Sequence, residues 1–245
     1  MENKSVRIER GQINLIVPTL NAELRYVHPA LGPDSYNSVG KQILDRGQKV
    51  PTGNLTVPLI HMAYCNESVK DEKEFSDIRN IMEDRWLWVF NRNIWTSQGV
   101  YVVQDEEALG RNAPFDIEEL EDKLSGGDNE LRVRFSQDRK TRFAPKSTYS
   151  LGKHTPESLA RDGFVIANYD INGAEKLGEV SSEFKYNPKT FGLNIEDGQV
   201  PQQRTACLDS GWDFDDGGLG VCGDDWDDYE GGCAFGIEKS EEDTQ

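Results

Sequence analysis

The chain has 245 residues, of which 36% are hydrophobic and 9% aromatic, and its formal net charge is −17. This length suits one large domain or one domain with an added lobe, and the aromatic content argues against a disordered chain. The longest apolar runs, such as 86–90, are too short to cross a bilayer, and the N-terminus carries no secretory signal. We therefore expect a folded protein without a membrane span.

The negative charge is concentrated near the carboxyl end. Residues 205–245 contain thirteen acidic side chains and one basic side chain, Lys239, so this segment carries −12 of the total. Nucleic acid is excluded as a partner there, because phosphate binding needs Lys and Arg. A cationic, polar or metal-dependent ligand is allowed, and solubility alone is the plain alternative.

The first half of the chain predicts two N-terminal strands and then two helices. Val6–Pro18 alternates loosely and predicts a strand pair or a bent strand. Residues 20–53 are rich in Pro, Gly and Asn and predict a long ordered connection with little regular structure. A buried helix should begin near Thr56, and the spacing of apolar residues predicts a second helix over 71–84.

The tryptophan-rich stretch that follows predicts a hairpin. Trp86–Trp95 changes to the two-residue period of a strand, 97–99 supplies a turn, and Val100–Val103 is β-branched and aromatic. The aromatic cluster could form a sugar platform, but core packing is the favoured interpretation.

Shorter elements occupy the middle of the chain. Asp116 predicts the start of a short helix, and Leu131–Phe135 predicts a strand. A further helix should begin at Thr155 and end at Gly163. Phe164–Ala167 then predicts a strand, and Gly173–Phe184 predicts the last amphipathic helix.

The residue types that usually carry catalysis form no recognisable motif. The three histidines lie far apart in sequence, and His61 sits within an apolar helix, where a core role is favoured over catalysis. Four cysteines are present, but none forms a Cys-x-x-Cys pair, so a zinc site is not predicted. A Cys222–Cys233 disulfide is possible from the residues, although free thiols are the simpler expectation. We predict no catalytic residue, metal or cofactor.

The most informative segment is Asp209–Cys233, with eight Asp and seven Gly in 25 residues. Because Asp and Gly have poor strand and helix propensity, we expect a loop-rich backbone here. Bulky residues such as Trp212, Phe214 and Trp226 would hold these loops to the core, while the short polar residues between them face solvent. If any aromatic residue is exposed instead, Trp212, Trp226 and Tyr229 are the expected ligand anchors, although burial of both tryptophans is favoured. Core strands are expected to flank the segment at 206–208 and 234–237.

This alternation resembles the variable region of diversity-generating retroelement target proteins with a C-type-lectin-type fold. In that family, adenine-directed mutagenesis rewrites codons such as AAC, whose products include Asn, Asp, Gly, Ser, Tyr and Cys. Codons for Trp and Phe contain no adenine and stay constant. The closing 234–237 stretch resembles the hydrophobic last strand of the family. Glu230 departs from the pattern, because it is not a product of AAC.

The resemblance implies an α+β, C-type-lectin-type domain over 1–238, with a few helices packed on small antiparallel sheets, a variable-type segment at 205–237 and an acidic tail at 239–245. It also implies a non-enzymatic recognition or display protein, encoded by a virus or microbe, virion-associated or cytoplasmic, that binds a protein or glycan. The predicted ligand-binding residues are Asp209, Ser210, Gly211, Asp213, Asp215, Asp216, Gly217, Gly218, Gly220, Cys222, Asp224, Asp225, Asp227, Asp228, Tyr229, Gly231, Gly232 and Cys233.

Two other functions stay open at the level of sequence. The formylglycine-generating class of enzymes shares the fold and uses paired cysteines, which would require Cys222 and Cys233 to converge at the base of a cleft. Alternatively, Asp213–Gly217 places oxygen ligands at alternate positions before a Gly, as a calcium-stabilised module would. The glutamate that completes an EF-hand is missing, since position 224 is Asp.

Overall fold

The computed structural model describes residues 7–9 (as backbone), 13–19, 22–185, 187–211 and 217–239. Helices and strands are mixed along these residues, so the α+β class is confirmed. The helices are α1 (Tyr36–Asp45), α2 (Gly53–Cys65), α3 (Lys73–Asp84), α4 (Ile117–Ser125), α5 (Pro156–Leu159) and α6 (Gly163–Ser182). The strands are β1 (Arg7–Glu9), β2 (Ile13–Pro18), β3 (Glu23–His28), β4 (Leu31–Asp34), β5 (Trp86–Thr96), β6 (Gly99–Gln104), β7 (Asp128–Glu130), β8 (Val133–Phe135), β9 (Thr141–Pro145), β10 (Gly152–Lys153), β11 (Lys189–Phe191), β12 (Gln202–Asp209), β13 (Gly220–Asp225) and β14 (Gly232–Ala234).

One large sheet dominates the described residues. Its order is β10-β11-β13-β12-β5-β6-β9-β8-β7, and β14 joins it beside β5 and β4. The long strand β5 therefore has β12 on one side, with β6 and β14 on the other. Strands β1 to β3 form a separate small antiparallel sheet. The predicted hairpin over 86–103 and the predicted N-terminal strand pair are both confirmed.

The predicted irregular connection over 20–53 is wrong, because this stretch contains β3, β4 and α1. Helix α1 begins after Ser35, whose hydroxyl accepts a hydrogen bond from the Ser38 N–H. Its residues Tyr36, Val39 and Ile43 follow helical spacing and are all buried. The Pro and Gly residues of this stretch hid this signal, although Gly32 and Pro33 lie within β4 and Gly40 lies within α1.

The predicted strand over 164–167 is also wrong, since these residues form the first turns of α6. The Asp162 carboxylate accepts hydrogen bonds from the N–H groups of Phe164 (3.0 Å) and Val165 (3.3 Å). This N-cap starts a helix where the short apolar run alone cannot distinguish helix from strand. Gly163 begins this helix rather than ending the preceding one.

Helices α2 and α6 pack on the large sheet and enclose the main core. Trp95 is fully buried, packs against Phe164 at a ring-centroid distance of 5.2 Å, and donates from Nε1 to the carbonyl of Gly223 at 2.7 Å. The opposite side of β5 and β12 is covered by α1 through Tyr36 and Trp88. The described helices are too short or too polar to span a membrane.

Candidate functional site

The described part of the C-terminal segment is built into the large sheet. Strand β13 lies between β11 and β12: it pairs with β12 from Gly220 to Asp225 and with β11 over Gly220–Cys222. The prediction of a loop-rich backbone is therefore wrong for 220–225. Val221 and Cys222 pack into the core, and this tertiary packing outweighs the poor strand propensity of the surrounding Gly and Asp residues.

The predicted solvent-facing orientation is wrong for nine of the predicted ligand-binding residues, which are buried because neighbouring strands and helices cover them. The buried residues are Asp209, Ser210, Gly218, Gly220, Cys222, Asp225, Asp227, Gly232 and Cys233. Six others keep some exposure: Gly211, Gly217, Asp224, Asp228, Tyr229 and Gly231. Asp213, Asp215 and Asp216 lie outside the described residues, as do Trp212 and Phe214.

Two of the buried glycines are sites of close packing. A Cβ added at Gly232 would lie 2.1 Å from Nε1 of Trp88, and one added at Gly220 would lie 2.6 Å from Oδ1 of Asp209. Side chains larger than hydrogen therefore do not fit at these positions without rearrangement. These glycines shape the fold and are not available to contact a ligand.

Asp227 joins the C-terminal segment to the turn at 110–112. Its carboxylate pairs with the Arg111 guanidinium and accepts a hydrogen bond from the Arg111 backbone N–H at 2.9 Å. Its side chain is only 6% exposed, whereas the neighbouring Asp228 side chain is 75% exposed. Asp227 is therefore a structural anchor for Arg111.

The turn that carries Arg111 is itself held by a second buried carboxylate. Asp105 accepts hydrogen bonds from the N–H of Gly110 at 2.7 Å and from the Tyr36 hydroxyl at 3.0 Å. Gln203 of β12 donates to the carbonyl of Gly110 from the other side. The position of Arg111 is thus set by several polar contacts rather than by a free loop.

Trp226 is half exposed, in contrast to the prediction that it is a buried scaffold residue. Its relative exposure is 50%, while Trp88 and Trp95 are fully buried. The guanidinium carbons of Arg111 and Arg204 lie 4.2 Å and 4.1 Å from the centroid of its ring. Each is within the distance of a cation–π interaction. We call Trp226, Arg111, Arg204, Asp224 and Asp228 the Trp226 surface.

Sequence reasoning missed both arginines of this surface. Arg111 lies 116 positions before Asp227, the residue that follows Trp226. Only the fold brings Arg111 and Trp226 together. Arg204 is the third residue of β12. The alternation of side chains along a strand predicts which face of the sheet Arg204 lies on, but it does not predict that Trp226 is its neighbour. The weak available signal was that Arg204 is the last arginine before a long acidic stretch.

The apolar surroundings extend this surface. Leu109 and Phe115, which flank the Arg111 turn, are 40% and 38% exposed. On the other side, Arg204 lines a shallow depression together with Val200, which is 71% exposed. Exposed apolar side chains therefore accompany both arginines of the Trp226 surface, and exposed apolar patches mark interaction sites.

Two cysteines form a second feature within the sheet. Cys207 of β12 and Cys222 of β13 are direct cross-strand partners and are both buried. The Cys207 thiol donates to Oδ2 of Asp225 at 2.8 Å, and the Cys222 thiol donates to Oδ2 of Asp209 at 3.4 Å. Burial raises the pKa of the Cys207 thiol well above its ordinary value, so the sulfur stays protonated at neutral pH.

Cys222 and Cys233 do not converge. Cys222 pairs with Cys207, which lies opposite Trp88, whereas Cys233 pairs with Leu87 from the other side of β5. Three strand spacings therefore separate them, or about 14 Å at roughly 4.8 Å per spacing. A disulfide or a shared copper site between these two cysteines is incompatible with this fold.

A large cleft lies elsewhere on the molecule. It has a volume of about 920 Å³ and is lined by the turn at Leu131 and by α5 and α6. Glu179 at its edge contacts Nε2 of His61 at 2.6 Å, so this histidine has a hydrogen-bonding carboxylate partner. None of the predicted ligand-binding residues lines this cleft.

Comparison with known proteins gives no relatives for this chain: no family model, no curated protein and no solved structure matches it.

Proposed function

We propose that this chain is a recognition protein that binds a protein ligand through the Trp226 surface. The observation that carries the proposal is the half-exposed Trp226 ring with two guanidinium groups against it. Trp and Arg are the residue types that contribute most to binding energy in protein interfaces. An exposed tryptophan that is already held in place by its neighbours loses little conformational freedom on binding.

The surface favours a protein over a glycan. A sugar ring that stacks on the indole competes with Arg111 and Arg204, which both contact the ring. A peptide can instead use the exposed indole edge together with the apolar side chains of Leu109, Phe115 and Val200. Asp224 and Asp228 at the rim then select against acidic ligands through like-charge repulsion.

The C-type-lectin-type fold and the retroelement origin belong to the same proposal. The order of N-terminal strands, helices and a tryptophan-rich hairpin is compatible with that fold. Diversification would be restricted to positions that keep some exposure, such as Asp224, Asp228 and Tyr229, because exchange at buried Gly232 or Gly220 disrupts packing. A downstream DNA repeat that differs only at adenines, beside a reverse-transcriptase gene, is the expected genomic neighbourhood; its absence contradicts the retroelement origin alone.

The two other functions have less support. The paired-cysteine enzyme required Cys222 and Cys233 to meet, which their places in the sheet prevent. The calcium loop at 213–217 lies outside the described residues except for Gly217.

A peptide-display selection on the wild-type protein tests the proposal. Peptides enriched on the wild type should lose binding to Trp226→Ala and to Arg204→Ala. They should retain binding to Leu131→Ala, which removes an exposed apolar side chain (59%) from the distant cleft. Peptides that bind Trp226→Ala as well as the wild type, or that depend on Leu131 instead, contradict the proposed surface.

A further inference from the structure

The cross-strand cysteines and their carboxylate neighbours place metal-binding donor atoms close together inside the sheet. One ligand atom from each of Cys207, Asp209 and Cys222 lies within 4.8 Å of the others, and all three residues are buried. The arrangement follows from the strand geometry. Cys207 and Asp209 are two residues apart on β12 and share a face, and the register sets Cys222 directly opposite Cys207.

The separations fit a single small cation. Two donors on one tetrahedral zinc ion, at bond lengths of about 2.3 Å for sulfur and 2.0–2.2 Å for oxygen, lie roughly 3.4–3.8 Å apart. The Cys222 sulfur and Oδ2 of Asp209 are already 3.4 Å apart. The other two pairs of donor atoms are at most 4.8 Å apart. Rotation of the side chains brings them to the separation found around zinc without a change of strand register.

The donor set also determines which class of metal fits. Thiolates favour zinc and other soft ions over calcium or magnesium, which prefer oxygen ligands. Asp225 stands beside the group and contacts the Cys207 sulfur at 2.8 Å. This carboxylate can orient the cysteine or complete the coordination, as neighbouring groups do around structural metals.

We propose that Cys207, Asp209 and Cys222 form a binding site for a zinc-type divalent ion, with Asp225 as its supporting carboxylate. Binding forms two metal–sulfur bonds and one metal–oxygen bond, and the two thiol protons leave to solvent. The ion would join β12 to β13 near the Gly220 end of β13. The site involves none of the residues of the Trp226 surface, so it stands or falls independently of the proposed function.

Cobalt(II) added to the reduced full-length chain tests this site, because cobalt–thiolate bonds produce charge-transfer absorption and tetrahedral cobalt absorbs in the visible. We expect one cobalt per chain with both signals, and their loss when zinc is added. Cys207→Ser and Cys222→Ser should abolish the charge-transfer band. Asp225→Asn should retain the band but weaken cobalt binding roughly 10–100-fold. Cys233→Ser, which removes an equally buried thiol on another strand, is the matched control and should bind as the wild type does.

The wild-type titration decides the question even if a variant fails to fold. A reduced wild-type chain that gives no charge-transfer band overturns the proposal, as does a band that depends on Cys233 or Cys65. Thiol titration under denaturing conditions tests the remaining alternative, in which Cys207 and Cys222 form a redox couple. If Cys207 and Cys222 form a disulfide in air while the reduced chain binds no cobalt, the pair is a redox couple and not a metal site.

Discussion

The pairing of Asp227 with Arg111 allows a quantitative test of how the Trp226 surface is held. Asp227→Ala removes a carboxylate that is 6% exposed and leaves the Arg111 backbone N–H and guanidinium without their acceptor. Loss of one partner of a buried ion pair costs about 3–5 kcal/mol. The Arg111 side chain is 28% exposed, so water compensates in part, and we expect a loss of about 2–3 kcal/mol in the free energy of unfolding.

Urea denaturation of the wild type, Asp227→Ala and Asp228→Ala measures this cost. Asp228 is the matched control, because it contacts the same arginine at 3.6 Å from an exposed position and should contribute about 0–1 kcal/mol. The double variant with Arg111→Ala should recover part of the loss, since the two residues act through one interaction. If Asp227→Ala is no more destabilising than Asp228→Ala, Asp227 does not anchor the turn and this reasoning is refuted.

Two further variants test packing and pH dependence. Gly232→Ala should lower the free energy of unfolding by about 3 kcal/mol, because the new methyl group overlaps the Trp88 indole. Gly126 has open space around it, so Gly126→Ala should change the free energy of unfolding by less than about 0.5 kcal/mol. Equal urea midpoints for the two variants would contradict the tight packing at Gly232. The hydrogen bond from Arg134 lowers the pKa of Glu121 in the folded state, so its stabilising contribution is present at neutral pH and is lost as the pH falls. Glu121→Gln should therefore cost about 0.5–1 kcal/mol at pH 7, and this cost should shrink as the pH falls below the ordinary glutamate pKa of about 4.3 and vanish below the lowered pKa of the folded state; a cost that does not shrink in acid would contradict this assignment.

The elements that the sequence predicted correctly are those with a strong local signal. The hairpin of β5 and β6 has a clear two-residue period and a turn, and α3 has apolar residues at helical spacing. Helix α4 was predicted from its N-cap Asp116, which does accept a hydrogen bond from the Glu118 N–H. In each case the deciding interactions lie within a few residues along the chain.

One missed element, β13, depends on distant contacts. Strand β13 consists largely of Gly and Asp, and it forms a strand because β11 and β12 flank it. The candidate site likewise depends on contacts between residues that lie far apart in sequence. Composition pointed to the segment that contains Trp226, but Asp227 of this segment is paired with Arg111, and the same arginine contacts the Trp226 ring. A pattern of polar and bulky residues cannot reveal which aspartates have partners far away in sequence.

The affinity of a selected peptide for Trp226→Ala tests the recognition surface most directly. If Trp226 is the principal contact, its removal costs at least about 2 kcal/mol of binding energy, or roughly a 30-fold rise in Kd. The urea midpoint should stay close to that of the wild type, and Leu131→Ala should bind with unchanged Kd. A Kd for Trp226→Ala within twofold of the wild-type value would show that the ligand binds elsewhere on this protein.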